Sequence, residues 1–197
     1  MMLLFILGLV LFFGIHMLPF YPEYRVQLIE KLDSATIDAE IMYKIIFSVI
    51  SLLGLIFIGV GKGSMEFIGL WDIPVFFRYV AVVLILASFI LMVAAYPPNN
   101  IKRYVPHPML TGVIVWGVTH MLVNGDVVSL ILFGSFVAYS VVAIKLANKR
   151  QQDISSEQEA QQQIPVVKDA IVIGIAMFGF LLLLWMHKLL FGRAVFL

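Results

Sequence analysis

Histidine is the one titratable side chain that this sequence places deep inside long apolar segments. The chain contains four His and no Cys, which excludes disulfides, iron–sulfur clusters, thiolate chemistry and a covalently attached c-type haem. Neutral imidazole is a good ligand for iron and other transition metals. The apolar segments carry no Asp, Glu or Lys at depth, and the chain has no HExxH motif. These absences disfavour an intramembrane hydrolase and an ion-coupled transporter.

Six apolar segments must position these histidines. The composition is 62% hydrophobic and 13% charged, whereas soluble domains carry about 25% charged residues. A membrane-spanning helix needs roughly 20 apolar residues, so six spans use most of the 197 residues and leave no room for a separate catalytic domain. The sequence predicts one all-α membrane bundle over residues 1–197, with spans near residues 2–19, 45–60, 74–95, 107–124, 127–144 and 170–187.

The connections between the spans have their own signals. Val26, Ile29 and Leu32 recur at helical spacing, which predicts a short amphipathic helix on the membrane surface after the first span. The Asn124-Gly125 pair is typical of a helix end, so the fourth and fifth spans are expected to form a hairpin. The Gln-rich segment 148–165 is predicted to be a disordered polar loop.

The distribution of basic residues predicts the orientation of the bundle. Nine of the 13 Lys and Arg lie in the loops after the first, third and fifth spans, and cytoplasmic loops carry such an excess. We therefore expect these loops in the cytoplasm and both termini on the opposite side of the membrane. The net charge of +1 provides no basic field for nucleic acid, so the expected partner is the lipid bilayer.

Two histidines lie inside the spans, and their depths favour a haem over a bare metal ion. His16 is near the inner end of the first span, whereas His120 is about 13 residues into the fourth, so their Cα atoms differ in depth by about 15 Å. Because helical side chains lean toward their own N-terminus, the two imidazoles lean toward each other. Axial ligands on opposite faces of a porphyrin fit this separation better than one ion does. His107 is closer in depth to His16, so that pair stays open as an alternative.

Neighbouring residues extend this candidate site. Trp116 and Gly117 lie on the same helical face as His120, where Trp supplies an aromatic wall and Gly leaves room for a flat ring. Arg78, from the outer side, or Arg103, from the inner side, is a candidate to pair a haem propionate. The structural alternatives are a hydrogen bond between helices for each His and a lipid headgroup contact for each Arg.

One block of sequence resembles a known family. It runs from His107-Pro108-Met109-Leu110-Thr111-Gly112-Val113 through Trp116, His120 and Asn124-Gly125-Asp126 to Leu132-Phe133-Gly134. On this block the chain resembles the NnrU family of bacterial membrane proteins. Supporting matches include Gly14 and His16, Leu70-Trp71-Asp72, and the ending from His187 through Gly192.

The resemblance implies a bacterial inner membrane and a setting near nitrite and nitric oxide metabolism in denitrification. In such a membrane, the orientation predicted from the basic loops makes both termini periplasmic. The family is related to zeta-carotene isomerase, which holds a non-covalent haem b by two histidines. Carried over residue by residue, these ligands fall on His16 and His120. Where the isomerase has a paired His in the fifth span, this chain has Tyr139-Ser140. Where many relatives have a His after the Arg of the third span, it has Tyr79. Both departures weigh against carotenoid isomerisation.

The sequence therefore predicts a membrane protein that binds haem b through two histidines. Its expected role is redox, sensing or isomerase-like, and its expected protein partner is a membrane redox protein or reductase. The alternative is a non-catalytic assembly or maturation factor for a respiratory reductase, which predicts no bound cofactor.

Overall fold

A computed structural model describes residues 1–32, 38–154 and 164–192, with the backbone alone described at 151–154 and 191. The described residues form eight α-helices: α1 (Met2–Met17), α2 (Pro22–Lys31), α3 (Ala39–Gly63), α4 (Val75–Ala94), α5 (Ile101–Tyr104), α6 (Pro108–Asn124), α7 (Val127–Ile154) and α8 (Val166–Phe191). Five of these segments are long and apolar enough to cross a membrane, and α6 is a shorter apolar helix of 17 residues. The all-α, multi-pass membrane fold is confirmed.

Several helices extend beyond the apolar runs that predicted them. The third helix begins at Ala39 rather than Ile45, because the Asp38 side chain accepts a hydrogen bond from the Ile41 N–H at 3.1 Å and caps the helix. The seventh helix continues past Ile144 to Ile154. The predicted loop 148–165 therefore begins as helix. Its residues 155–163 lie outside the described part of the chain.

The chain divides into two compact units, Met1–Phe67 and Ile68–Leu197. In the first unit, α1 and α3 pack in antiparallel fashion through glycines. A Cβ at Gly8 would lie 2.6 Å from the Ile58 nitrogen, and one at Gly61 would lie 2.7 Å from the Cα of Phe5. The absence of side chains at these glycines lets the two backbones approach closely, as is typical of membrane helix pairs.

Helix α2 forms where the sequence predicts an amphipathic helix, and it contacts α3 through Arg25, on the same side as the half-buried Ile29. Val26 is 49% exposed, whereas the Arg25 guanidinium donates to both oxygens of Glu40 at 2.7 and 2.9 Å. Arg25 also lies 5.1 Å from the ring centroid of Tyr43. The hydrogen bond to Glu40 raises the pKa of Arg25 above its usual value. An ion pair and a cation–π contact thus take part in joining α2 to α3.

In the second unit, α4 packs against both α6 and α8, and α6 packs in turn against α7. The contact between α4 and α6 is close. The buried Ser88 hydroxyl donates to the Gly112 carbonyl at 2.8 Å, and a Cβ at Gly112 would lie 2.9 Å from the Ser88 carbonyl oxygen. The predicted hairpin of α6 and α7 is confirmed, with Gly125 at φ 61° in the left-handed region.

Candidate functional site

His16 lies in the last turn of α1, in the first unit, where its ring orientation is fixed by its own helix. Its Nδ1 is 2.7 Å from the carbonyl oxygen of Phe12. Because a carbonyl oxygen only accepts hydrogen bonds, Nδ1 carries the proton and donates it. In a neutral imidazole the other nitrogen, Nε2, then holds the lone pair, which is the form that ligates a metal.

Aromatic rings from α1 and α3 surround this imidazole. The Phe12 ring stacks on it with centroids 4.1 Å apart and an interplanar angle of 25°. Phe47 of α3 approaches it at 4.9 Å, and Tyr43 lies 6.1 Å from Phe47. The side chain of His16 is half-buried among them.

His120 of α6, in the second unit, repeats the same local arrangement. Its Nδ1 donates to the carbonyl oxygen of Trp116 at 2.9 Å, so its Nε2 is also the nitrogen with the lone pair. The Phe133 ring of α7 lies 4.7 Å away at an interplanar angle of 34°, and the Trp116 ring lies 5.0 Å away. Trp116 thus forms part of the ring surroundings of His120.

Gly117 has a different role from the one predicted. A Cβ there would lie 2.7 Å from Cγ2 of Val137 and 3.1 Å from the carbonyl oxygen of Phe133. Helix α7 therefore occupies the space that the missing side chain leaves. Gly117 is buried at the contact between α6 and α7, and this space does not admit a flat ring.

A segment before α4 fixes the C-terminal end of α6, close to His120. The Trp71 indole N–H donates to the Leu122 carbonyl at 3.1 Å, and Leu70 N–H donates to the Gly125 carbonyl at 2.7 Å. Within the sequence, Leu70-Trp71-Asp72 is notable only as a match to a family. The contact of this segment with α6 joins residues about 50 positions apart, so no local pattern in the sequence predicts it. This contact was missed.

A family model described as NnrU protein matches residues 4–195 of the 197-residue chain. The chain belongs to the NnrU family. The matched range contains every candidate residue described above. The comparisons found no matching protein among curated sequences and no matching solved structure.

His107 occupies the opposite end of α6 in this NnrU-family chain. It is the residue before the first helical position, and its Nε2 lies 2.7 Å from Oδ1 of Asn148 on α7. An amide oxygen accepts hydrogen bonds, so this Nε2 is the protonated nitrogen. His107 and His120 are about 20 Å apart along the helix.

The two candidate arginines also lie at opposite ends of the second unit. Arg78 is in the first turn of α4, near the end where Trp71 contacts α6 and where His120 lies. Arg103 is in α5, shortly before α6 begins. Both side chains are exposed. Within the described ranges, no group of three or more His, Cys, Asp or Glu is arranged to hold a metal ion by itself.

Proposed function

We propose that this NnrU-family membrane protein binds a haem b, with His16 and His120 as its two axial ligands. We further propose a redox, sensing or isomerase-like role near nitrite and nitric oxide metabolism. The observation that carries the proposal is the arrangement common to both histidines. Each donates Nδ1–H to the carbonyl of the residue four positions earlier on its own helix.

Such a hydrogen bond is a typical feature of metal-ligating histidines. It fixes the tautomer, orients the ring and raises the basicity of the nitrogen that ligates the metal. The bond from each Nδ1 to the carbonyl of the histidine's own helix therefore supports a ligand role for Nε2.

The rings beside each histidine are suited to a flat apolar cofactor. Phe12 and Phe47 adjoin His16, and Trp116 and Phe133 adjoin His120. Aromatic faces pack against a macrocycle by stacked or edge contacts. They also keep water from the ligating nitrogens, and exclusion of solvent is one means by which a protein tunes a metal centre.

The second unit favours His120 over His107 as the second ligand. The Nε2 atom of His107 carries a proton donated to Asn148, whereas that of His120 holds the lone pair. Position favours Arg78 over Arg103 as the propionate partner, because Arg78 lies at the end of the second unit that contains His120.

A haem b with two axial imidazoles supplies one-electron redox chemistry when it is bound. This chain's own residues hold the iron, orient the ligating rings and exclude water. The proposed setting is a bacterial inner membrane with both termini periplasmic, supported by the excess of Lys and Arg in the loops after the odd-numbered spans. A membrane redox protein or reductase is the proposed partner.

An absorption spectrum of the purified protein tests the proposal. The protein is expressed with adequate haem supply and its spectrum is recorded oxidised and reduced, for the wild type and for His16→Ala and His120→Ala. His187→Ala, a histidine near the end of α8, is the matched control.

We expect a Soret band in the wild type and in His187→Ala, and its loss or shift in each of the other two variants. A wild type without a Soret band would end the proposal and favour a non-catalytic assembly or maturation factor. A wild-type spectrum retained in both His16→Ala and His120→Ala would show that other residues ligate the haem.

A further inference from the structure

A groove opens between α4 and α8 in the second unit, away from His120. It has a volume of about 880 Å³ and its lining is apolar or aromatic: Phe89, Met92, Val93, Tyr96, Pro97 and Ile175. From Phe89 to Tyr96 the groove is about 10 Å long, at 1.5 Å rise per helical residue. Its volume lies within the range of sites that bind small molecules.

Contacts at both ends hold the walls of this groove in place. At one end the rings of Phe89 and Phe180 meet edge to face with centroids 5.9 Å apart. At the other end, Asn100 donates from its backbone N–H and its side-chain amide to the two carboxylate oxygens of Asp169, both at 2.7 Å. The groove is therefore formed before any ligand enters.

One end of the groove carries positive charge. The Lys102 ammonium lies 3.5 Å from the carbonyl oxygen of Tyr96, a lining residue. Lys168, in the first turn of α8, is exposed at the same end. Asp169, at the same end, accepts two hydrogen bonds from Asn100. Among Lys102, Lys168 and Asp169, two ammonium groups stand against one carboxylate, which gives these three residues a net positive charge.

We propose that the groove binds an anionic phospholipid, with one acyl chain along the apolar walls and the phosphate beside Lys102. The walls are suited to the acyl chain, since they offer almost no polar surface. The ammonium at the mouth complements the phosphate. The basic loops predict that this end faces the cytoplasm, whose membrane leaflet is rich in anionic lipid. This inference does not depend on haem binding.

Retention of lipid by the whole protein tests the proposal. The protein is reconstituted in nanodiscs of equal parts phosphatidylglycerol and phosphatidylcholine, and retained lipids are identified by native mass spectrometry after extraction. Lys102→Gln removes the charge at the mouth, and Lys145→Gln, on exposed α7 surface, is its control. Ile175→Trp fills the groove, and Ile173→Trp, an exposed residue of α8 outside the lining, is its control.

We expect about fivefold preference for phosphatidylglycerol in the wild type, the effect of one basic side chain near an anionic headgroup. Lys102→Gln should bring the preference close to one, and Ile175→Trp should reduce total retained lipid, whereas both controls behave as wild type. Equal retention of the two lipids by the wild type would overturn the proposal and favour an uncharged apolar ligand. An unchanged preference in Lys102→Gln would equally refute it.

Discussion

The close packing of α1 on α3 predicts opposite effects for two glycine substitutions that are two residues apart. A Cβ at Gly61 would lie 2.7 Å from both the nitrogen and the Cα of Phe5, whereas nothing lies within 4 Å of one at Gly59. Backbone atoms cannot move aside by changing rotamer, so Gly61→Ala must separate the two helices. Gly59→Ala adds a methyl group in open space.

The magnitudes follow from two competing effects. Replacing Gly by Ala inside a helix stabilises it by about 0.5–1 kcal/mol, and this gain applies to both variants. Overpacking costs typically about 1–3 kcal/mol, and the rigid backbone contact places Gly61→Ala toward the upper end of that range. We expect Gly59→Ala to be neutral or more stable than wild type, and Gly61→Ala to be less stable by about 1–2 kcal/mol.

Reversible unfolding in mixed micelles measures the difference, with helicity followed by circular dichroism. Both variants have the same change in composition and lie on the same helix, so detergent affinity and expression are matched. If Gly61→Ala unfolded at the same point as Gly59→Ala or later, the glycine contact between α1 and α3 would not have the role assigned to it here.

Three further substitutions test contacts within the second unit. Trp71→Phe keeps the ring but removes the donor to Leu122, so we expect a loss of about 1 kcal/mol in thermal unfolding; no loss would contradict the bond. Ser88→Ala removes a buried hydrogen bond between α4 and α6 and should lower the free energy of unfolding by about 0.6 kcal/mol, a typical value in membranes. Ser135→Ala is the control, and a larger loss of stability in the control would refute this expectation. Asp169→Asn leaves one side-chain oxygen where two now accept from Asn100, so hydrogen exchange at the start of α8 should become faster. Unchanged exchange would contradict this role for Asp169.

Local sequence signals located the helices because the bilayer imposes local rules. A run of apolar residues long enough to cross the hydrocarbon core must be helical, since no water is present there to satisfy its backbone groups. The span predicted near residues 107–124 is α6, which begins at Pro108 and ends before Gly125. The spans predicted at residues 45–60 and 127–144 are shorter than the helices α3 and α7 that contain them. Hydropathy indicates where the apolar residues stop, whereas a helix can continue beyond that point.

The histidines were likewise found from type and depth, but their surroundings were not. That His120 lies against Phe133 of α7 depends on how α6 and α7 pack. The haem itself and the pairing of His16 with His120 stay predictions. Gly117 shows the limit of local reasoning, since the space beside it was predicted for a ring and is occupied by Val137.

The sequence by itself determined the all-α membrane fold, the positions of its spans and the family to which the chain belongs. Tertiary structure alone decided which glycines let two backbones approach closely, that Arg25 joins α2 to α3, and that Trp71 fixes the end of α6. The physical reason is that insertion into lipid depends on the composition of each segment taken alone. Helix contacts depend on small residues and hydrogen-bonding groups that are far apart in the chain and meet only when it is folded.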